Sequence, residues 1–493
     1  MKRLTVISRN KLNEILVFLT LIVSFAYVLP RWADPNQNSR LDMVIAVVED
    51  HTFQIDKYVS NTVDYAKVGD HYYSDKAPGA AFLGIPVYFV AHTFLKLPFI
   101  DRLVESLGNN PAFQATLNPQ GTGIFAQKVR FAMAQVILSF LLSAIPTAVI
   151  GILIYRLLAL WKVDTGTRLF LVYAYALLTP AFAYANAFYG HQLNAALLFG
   201  AFYLIYSREK FTKPVLLGIG ILLAYSFITE YPTLLISGIL FLYLIYKLSR
   251  TEGLKGLPWL VIGGVSVLVP WMVYNNALFG GPLNLGYSHS ELWTEQHHTG
   301  FMSLTMPRWE TFWGITFGQF RGLFFYSPLL LLGIPGIFLW AKSQRYRVEL
   351  IVAILVACSM LLFNASSIMW WGGFAVGPRY LLPMLPFWML SLAFAFQSWK
   401  RKPVFMVASV ALSLWSFIAV WGLTLAGQHF PDDAILNPLK DYALPAWQAG
   451  DIARNFGTLA GIPGQLSVIP LLIVILIGFG LHLYFNPKEP ERR

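Results

Sequence analysis

Arg40, Lys76, Arg321 and Arg379 are cations flanked by apolar or aromatic residues, and the small neighbours of Arg379 let a ligand come close to its charge. Lys76 belongs to Asp75-Lys76-Ala77-Pro78-Gly79 and Arg379 to Gly377-Pro378-Arg379-Tyr380-Leu381-Leu382-Pro383. Arg40 follows Asn38-Ser39, and Arg321 opens Arg321-Gly322-Leu323-Phe324-Phe325-Tyr326-Ser327-Pro328. Cations so placed suit phosphate, because a charge-assisted contact to phosphate is about twice as strong as a neutral one. The carboxylates available to take a proton are Asp42, Asp64, Asp75 and Glu230, the last within Ile228-Thr229-Glu230-Tyr231-Pro232. His191, after Tyr189-Gly190, adds an imidazole. Together these groups could run a transfer from a phosphate. Cations would neutralise charge growing on the departing phosphate while a carboxylate accepts the proton of an attacking hydroxyl. The competing use of a long cation is to snorkel its head to a membrane surface, and that is the expectation for Arg31 and Lys96.

The element that must position these residues is a membrane bundle. The chain has 493 residues, of which 56% are hydrophobic and 12% charged, with a mean hydropathy of +0.57. A soluble protein carries about 25% charged residues, so too few remain here to coat a water-facing surface. This excludes a soluble enzyme, a disordered scaffold and a nucleic-acid module. The single cysteine, Cys358, lies in an apolar run and rules out a disulfide frame or a cysteine metal site. Uncharged runs predict an all-α polytopic protein of about twelve spans. They fall at 15–30, 129–156, 168–187, 191–206, 214–231, 233–247, 258–276, 327–341, 349–368, 380–398, 404–424 and 467–485. Lys2, Arg3, Arg9 and Lys11 precede the first, and no small-residue cleavage site follows it, so it reads as a retained helix with a cytoplasmic N-terminus.

Sidedness decides one further candidate. The run 79–97 carries Pro86, His92 and Lys96, and counting it as a crossing scatters the basic clusters over both faces. Read as an interfacial or re-entrant helix, it leaves Arg156/Lys162/Arg168, Arg208/Lys210/Lys213, Lys247/Arg250/Lys255, Lys342/Arg345/Arg347, Lys400/Arg401/Lys402 and both termini on the cytoplasmic side. The net charge of +11 is then a topology signal and needs no nucleic acid. The sequence thus divides into one integral-membrane domain, 1–485, and a cytoplasmic tail, 486–493. The long loops 31–128, 277–326 and 425–466 all face outside, where the chemistry is expected, in a plasma-membrane protein. In the first of them Ser39 reads as the N-cap of a short amphipathic helix on the membrane surface, and Pro78 starts a second. Trp309, Phe312, Trp313, Phe317, Trp370, Trp371 and Phe374 form an expected interfacial belt, some of it able to stack on a sugar.

In architecture and in its short motifs the chain resembles the GT-C superfamily of polyprenyl-phosphate-sugar-dependent glycosyltransferases, whose relatives include protein O-mannosyltransferases and lipid A aminoarabinose transferases. Asn38-Ser39-Arg40 is similar to the family's first-loop signature and Asp75-Lys76-Ala77-Pro78-Gly79 to its acidic-Lys-Pro-Pro element. The segments around Arg321 and Arg379 are similar to those of bacterial members. The resemblance implies that Arg40 and Lys76 hold the carrier phosphate and that Asp75 occupies a divalent-metal position; Arg321 and Arg379 are expected as further phosphate contacts from their own apolar and aromatic flanks, and His191, at a turn between helix ends, as a second candidate metal ligand. It also implies a lipid-linked sugar donor, membrane lipids, and a glycan, lipid or protein acceptor. One departure stands out. Where many members carry an Asp-Glu pair at the start of the first loop, this chain has Gln37-Asn38, and an amide cannot accept a proton. Asp42, Asp64, Asp75 and Glu230 are the substitutes, with Asp75 expected to be held ionised by Lys76. Two rivals remain: a lipid or sugar transporter or flippase, and an O-antigen-type ligase or polymerase. No P-loop, GxGxxG, GxSxG or HExxH signature appears, which argues against a nucleotide-sugar donor.

Overall fold

The computed structural model describes residues 6–31, 34–109, 125–251, 253–292, 294–299 and 303–486. The expected tail therefore lies, apart from Asn486, outside the described residues, as do Lys2 and Arg3. Among the described residues the regular elements are helices except for one hairpin. Eight helices among the described residues are long and apolar enough to cross a membrane, and a ninth exists if Gly79–Leu95 and Pro98–Ser106 count together. The eight are Arg9–Tyr27, Val129–Leu160, Tyr231–Arg250, Leu254–Phe279, Arg347–Ser366, Arg379–Trp399, Pro403–Leu425 and Gly464–Phe485. The other expected spans are shorter. Lys213–Thr229 and Pro328–Ser343 are apolar but brief, and Gly190–Ser207 opens on the polar residues Gly190-His191-Gln192. The stretch 168–187 is not one helix: Thr165–Leu177 ends before Thr179-Pro180, and Ala181–Ala185 restarts the chain. Pro180 has no N–H to carry the ladder onward.

Prolines start several of the helices, where a missing N–H costs nothing: Pro214, Pro258, Pro403 and Pro470 all stand in first turns. Small residues set the closest approach. A Cβ on Gly220 would lie 2.1 Å from the Leu260 carbonyl oxygen, and one on Gly263 would lie 2.2 Å from that of Leu217. Helices Lys213–Thr229 and Leu257–Phe279 therefore touch backbone to backbone, the packing that replaces a hydrophobic drive inside lipid.

The first loop has its own small core, built on α2 (Pro35–Ile45), the hairpin β1 (Tyr65–Val68) and β2 (His71–Ser74), and α3 (Gly79–Leu95). Two expectations change here. The N-cap of α2 is Asp34, whose side chain accepts from the Asn36 N–H at 3.0 Å, with Pro35 behind it; Ser39 sits inside the helix. Nor does α2 lie on a surface, since Asn36 through Ile45 are all buried. Its polar face is turned inward because other polar groups meet it there. The hairpin, unforeseen in the sequence, pairs Tyr65 with Ser74 and Val68 with His71 about the left-handed Gly69. At the far end of α3, α4 (Pro98–Gly108) turns away by 88°, so the two do not form a straight crossing.

Candidate functional site

Three separated pieces of chain bring their charges to one buried cluster. Ser39 Oγ lies 2.8 Å from Ser74 Oγ, which ties α2 to the end of β2 and sets Arg40 beside the Asp75-Lys76 turn. The third piece is the junction between helices Lys213–Thr229 and Leu234–Arg250. There Asn194 donates to the Ser226 carbonyl and the Thr233 hydroxyl, and that hydroxyl donates to the Glu230 carbonyl at 2.7 Å. The result is a fixed Glu230 whose Oε1 lies 3.2 Å from an Arg40 amino group and 3.5 Å from His191 Nδ1. Gly190 makes room for it. A Cβ there would lie 2.5 Å from the Glu230 carboxylate oxygen and 2.8 Å from the Thr229 carbonyl.

Lys76 bridges two carboxylates, Asp64 at 3.0 Å and Asp75 at 3.1 Å, and faces the Tyr287 ring at 5.7 Å. Burial alone would push its ammonium pKa down, but Asp64 and Asp75 hold it above the ordinary value. Asp75 departs from expectation. Burial raises its carboxyl despite the opposing pull of Lys76, because desolvation of a fully enclosed carboxylate outweighs one neighbouring cation. Arg379, buried to 8% exposure, stands between the rings of Tyr189 and Tyr380, each 5.3 Å from its guanidinium. No described carboxylate lies within ion-pair distance of it, and its Nε has no hydrogen-bond partner. A cation desolvated without a counter-ion is costly.

The carboxylate that sequence reasoning missed is Asp34. It is 1% exposed, accepts from the Tyr189 hydroxyl at 2.6 Å, and burial raises its pKa while Tyr189 and Arg379 act to lower it. The signal was present in Asp34-Pro35, a helix cap followed by a first-turn proline. Gln37 and Asn38 have a different use. Gln37 accepts from the Phe188 N–H at 3.1 Å and donates to the Arg31 carbonyl; Asn38 donates to the Asn61 carbonyl at 2.9 Å. These amides bolt α2 in place, a task for groups that both donate and accept.

Two other expected residues are placed elsewhere. Asp42 is fully buried, accepts a 3.3 Å hydrogen bond from Asn61, and is pushed well up by burial. It belongs to the packing of the first loop. Arg321 is 0% exposed and donates to the carbonyls of Trp371, Gly373, Pro431, Asp432 and Phe320. Its guanidinium is engaged as a staple between the segments 371–373 and 431–432, which leaves it little for phosphate. Arg31 does not snorkel: it is 6% exposed and donates to the carbonyls of Thr424 and Ala426. Lys96 is exposed.

The residues named for a divalent metal do not fit one. Among the described residues no group of three His, Cys, Asp or Glu side chains converges. Asp75 is already paired with the Lys76 ammonium, and His191 is buried between the Glu230 carboxylate and the cations Arg379 and Arg40. No step is therefore derived through a metal.

No protein-family model matches the chain, and no curated protein matches it. Two solved structures of ArnT from Cupriavidus metallidurans are similar over 97% of this chain. The one bound to undecaprenyl phosphate shares 13% identity at a TM-score of 0.45 and is covered over 76% of its own length. The apo state shares 14% at 0.46 and is covered over 75%.

Proposed function

We propose that the chain is a membrane glycosyltransferase of the GT-C type that moves a monosaccharide from a polyprenyl-phosphate carrier to an extracytoplasmic acceptor. The observation that carries this reading is the convergence of Arg40, Lys76 and Arg379 with a base on one buried site, where Arg379 has no described counter-ion. The acceptor hydroxyl oxygen attacks the anomeric carbon, the carbon–oxygen bond to phosphate breaks, and the carrier phosphate leaves with the electron pair. Lys76 and Arg379 stabilise the charge that grows on that phosphate, and Arg40 holds Glu230 and through it the cationic wall. The proton passes to a carboxylate. Glu230 is tied to Arg40, and Asp64 and Asp75 are tied to Lys76, so Asp34 is the site carboxylate without an ion pair in the described residues. Its raised pKa suits proton uptake. With both termini cytoplasmic, as the basic loops favour, this site opens outside.

The test is a reconstituted assay with radiolabelled polyprenyl-phosphate monosaccharides and a membrane lipid extract. Transfer of label with release of carrier phosphate supports the reading. Movement of intact donor across the bilayer without transfer would replace it with transport.

A further inference from the structure

Beside this cluster lies a cavity of about 40 Å³ between the end of α1 (Val6–Tyr27), the helix that starts at Val129, and the outer loops 426–428 and 452–454. Two arginines, Arg31 and Arg454, line it with Gln135, Gln428, Leu29 and Pro30. Its walls are fixed. Val28 bridges Asn455, Ala426 bridges Ile452, and the Leu29 N–H donates to the Arg454 carbonyl at 2.8 Å. Gln135 donates to the Arg31 carbonyl at 3.2 Å. Asp451 is the nearby acid that acts on both arginines, and Gln428 donates to it at 2.7 Å.

The lining is built for negative charge. Arg31 meets only carbonyls and the Phe430 ring at 4.8 Å, its buried Nε has no hydrogen-bond partner, and no described carboxylate lies within ion-pair distance. Burial lowers the pKa of both guanidiniums, the mark of charged forms whose lost hydration is not fully replaced. A cavity of this volume holds about three waters, which is also the room that the free oxygens of a phosphate need. Three residues after Arg31 comes Asp34, whose charge acts on Arg31 and on which Arg379 acts in turn. The carboxylate assigned to proton uptake is thus coupled to a cation at each of two separate anion positions.

We propose that the cavity between Arg31 and Arg454 receives an oxyanion, a phosphate or a carboxylate, carried by the acceptor, whose hydroxyl is thereby delivered to Asp34. The acceptor would then be an anionic glycan or lipid. This inference rests on the transferase reading above, because only then does the second anion position belong to an acceptor.

The test is titration calorimetry on the full chain in detergent, with undecaprenyl phosphate filling the first position and inorganic phosphate or acetate as the probe for the second. Phosphate should still bind after saturation with undecaprenyl phosphate. Its affinity should fall about tenfold or more in Arg454→Gln, a loss in keeping with removal of one charge-assisted contact. Arg454 is half-buried, so that change leaves no core void; Arg31→Lys, which keeps charge but not the fork, is the second variant and should also weaken binding. Acetate binding as tightly as phosphate identifies a carboxylate-bearing acceptor; weaker acetate identifies a phosphate-bearing one. Phosphate heat abolished by undecaprenyl phosphate, or unchanged in Arg454→Gln, overturns the proposal. If undecaprenyl phosphate itself gives no heat, the donor reading falls, and the comparison of wild type with Arg454→Gln still decides whether the anion position exists.

Discussion

Two buried polar clusters occupy different parts of this bundle, and they are held together by opposite means. Near the start of α1, Asn13 donates to Tyr155 at 3.1 Å and accepts from His482 Nδ1 at 3.0 Å and Asn486 at 2.8 Å, while His482 Nε2 meets the Tyr173 hydroxyl at 2.9 Å. Amides, phenols and an imidazole close that network on themselves and join α1 to helices Ile145–Leu160, Thr165–Leu177 and Ile469–Phe485. Nothing in it needs a ligand. The cluster around Lys76 is instead made of charges, and Arg379 remains without a described counter-ion. Satisfied neutral networks give a bundle one register; buried charges cost more than they return to stability unless something else uses them. The comparison separates a lock from a site.

The largest effects should fall on the charged cluster alone. Lys76→Ala and Arg379→Ala should each lower transfer on the order of 10²-fold or more, as removal of one preorganised stabiliser does, with unchanged yield of folded protein on size exclusion. Equal losses from Asn13→Ala would erase the distinction. Asp34→Asn should abolish transfer while undecaprenyl phosphate still binds. In the wild type the rate should fall as pH drops through the Asp34 value. Burial raises that value, so the acid limb should lie above the ordinary 3.8 of a free aspartate, because the protonated carboxyl cannot accept the hydroxyl proton. A flat acid limb in wild type would move the base elsewhere, to Asp75 or Asp64 first.

A smaller effect is expected at the neutral lock. Asn13→Leu orphans its partners and should cost about 1–3 kcal/mol, read as a lowered Tm with transfer per folded molecule preserved. The smallest belongs to Asp42. A carboxyl whose folded pKa is raised stabilises fully below its unfolded value and loses that contribution as pH rises through the folded one. Asp42→Asn should therefore leave Tm unchanged or slightly raised near neutral pH, and its advantage should vanish in acid. A large loss of activity in that variant would bring Asp42 back into the chemistry.

Much of the charged site is legible in the sequence because cations in small or aromatic surroundings are conspicuous in an apolar chain. Lys76, Arg40 and Glu230 could be singled out one by one, and the structure adds that they meet. Asp34 was hidden by its local role: a residue that caps a helix is read as structural, although the same carboxylate can serve both ends. Arg321 and Arg31 were misplaced for a related reason. Whether an arginine faces a ligand, lipid or a ring of carbonyls is settled by contacts 50 to 395 residues away, which no local pattern encodes. Helix lengths failed where one Thr-Pro pair interrupts an apolar run, at Thr179-Pro180.

The hairpin before Lys76 has a consequence for how this chain can change over time. Its turn at Gly69 is left-handed with nothing within 4 Å of a Cβ placed there, and Asp70 beside it is exposed. The Ser39–Ser74 contact anchors the opposite end of the ribbon. Added residues at the tip would lengthen two paired strands or bulge into solvent without shifting the anchored end. Length can drift at that tip while the lysine stays put, so the turn is the place where a lineage could graft an appendage, or an experimenter an epitope, without touching the charged cluster.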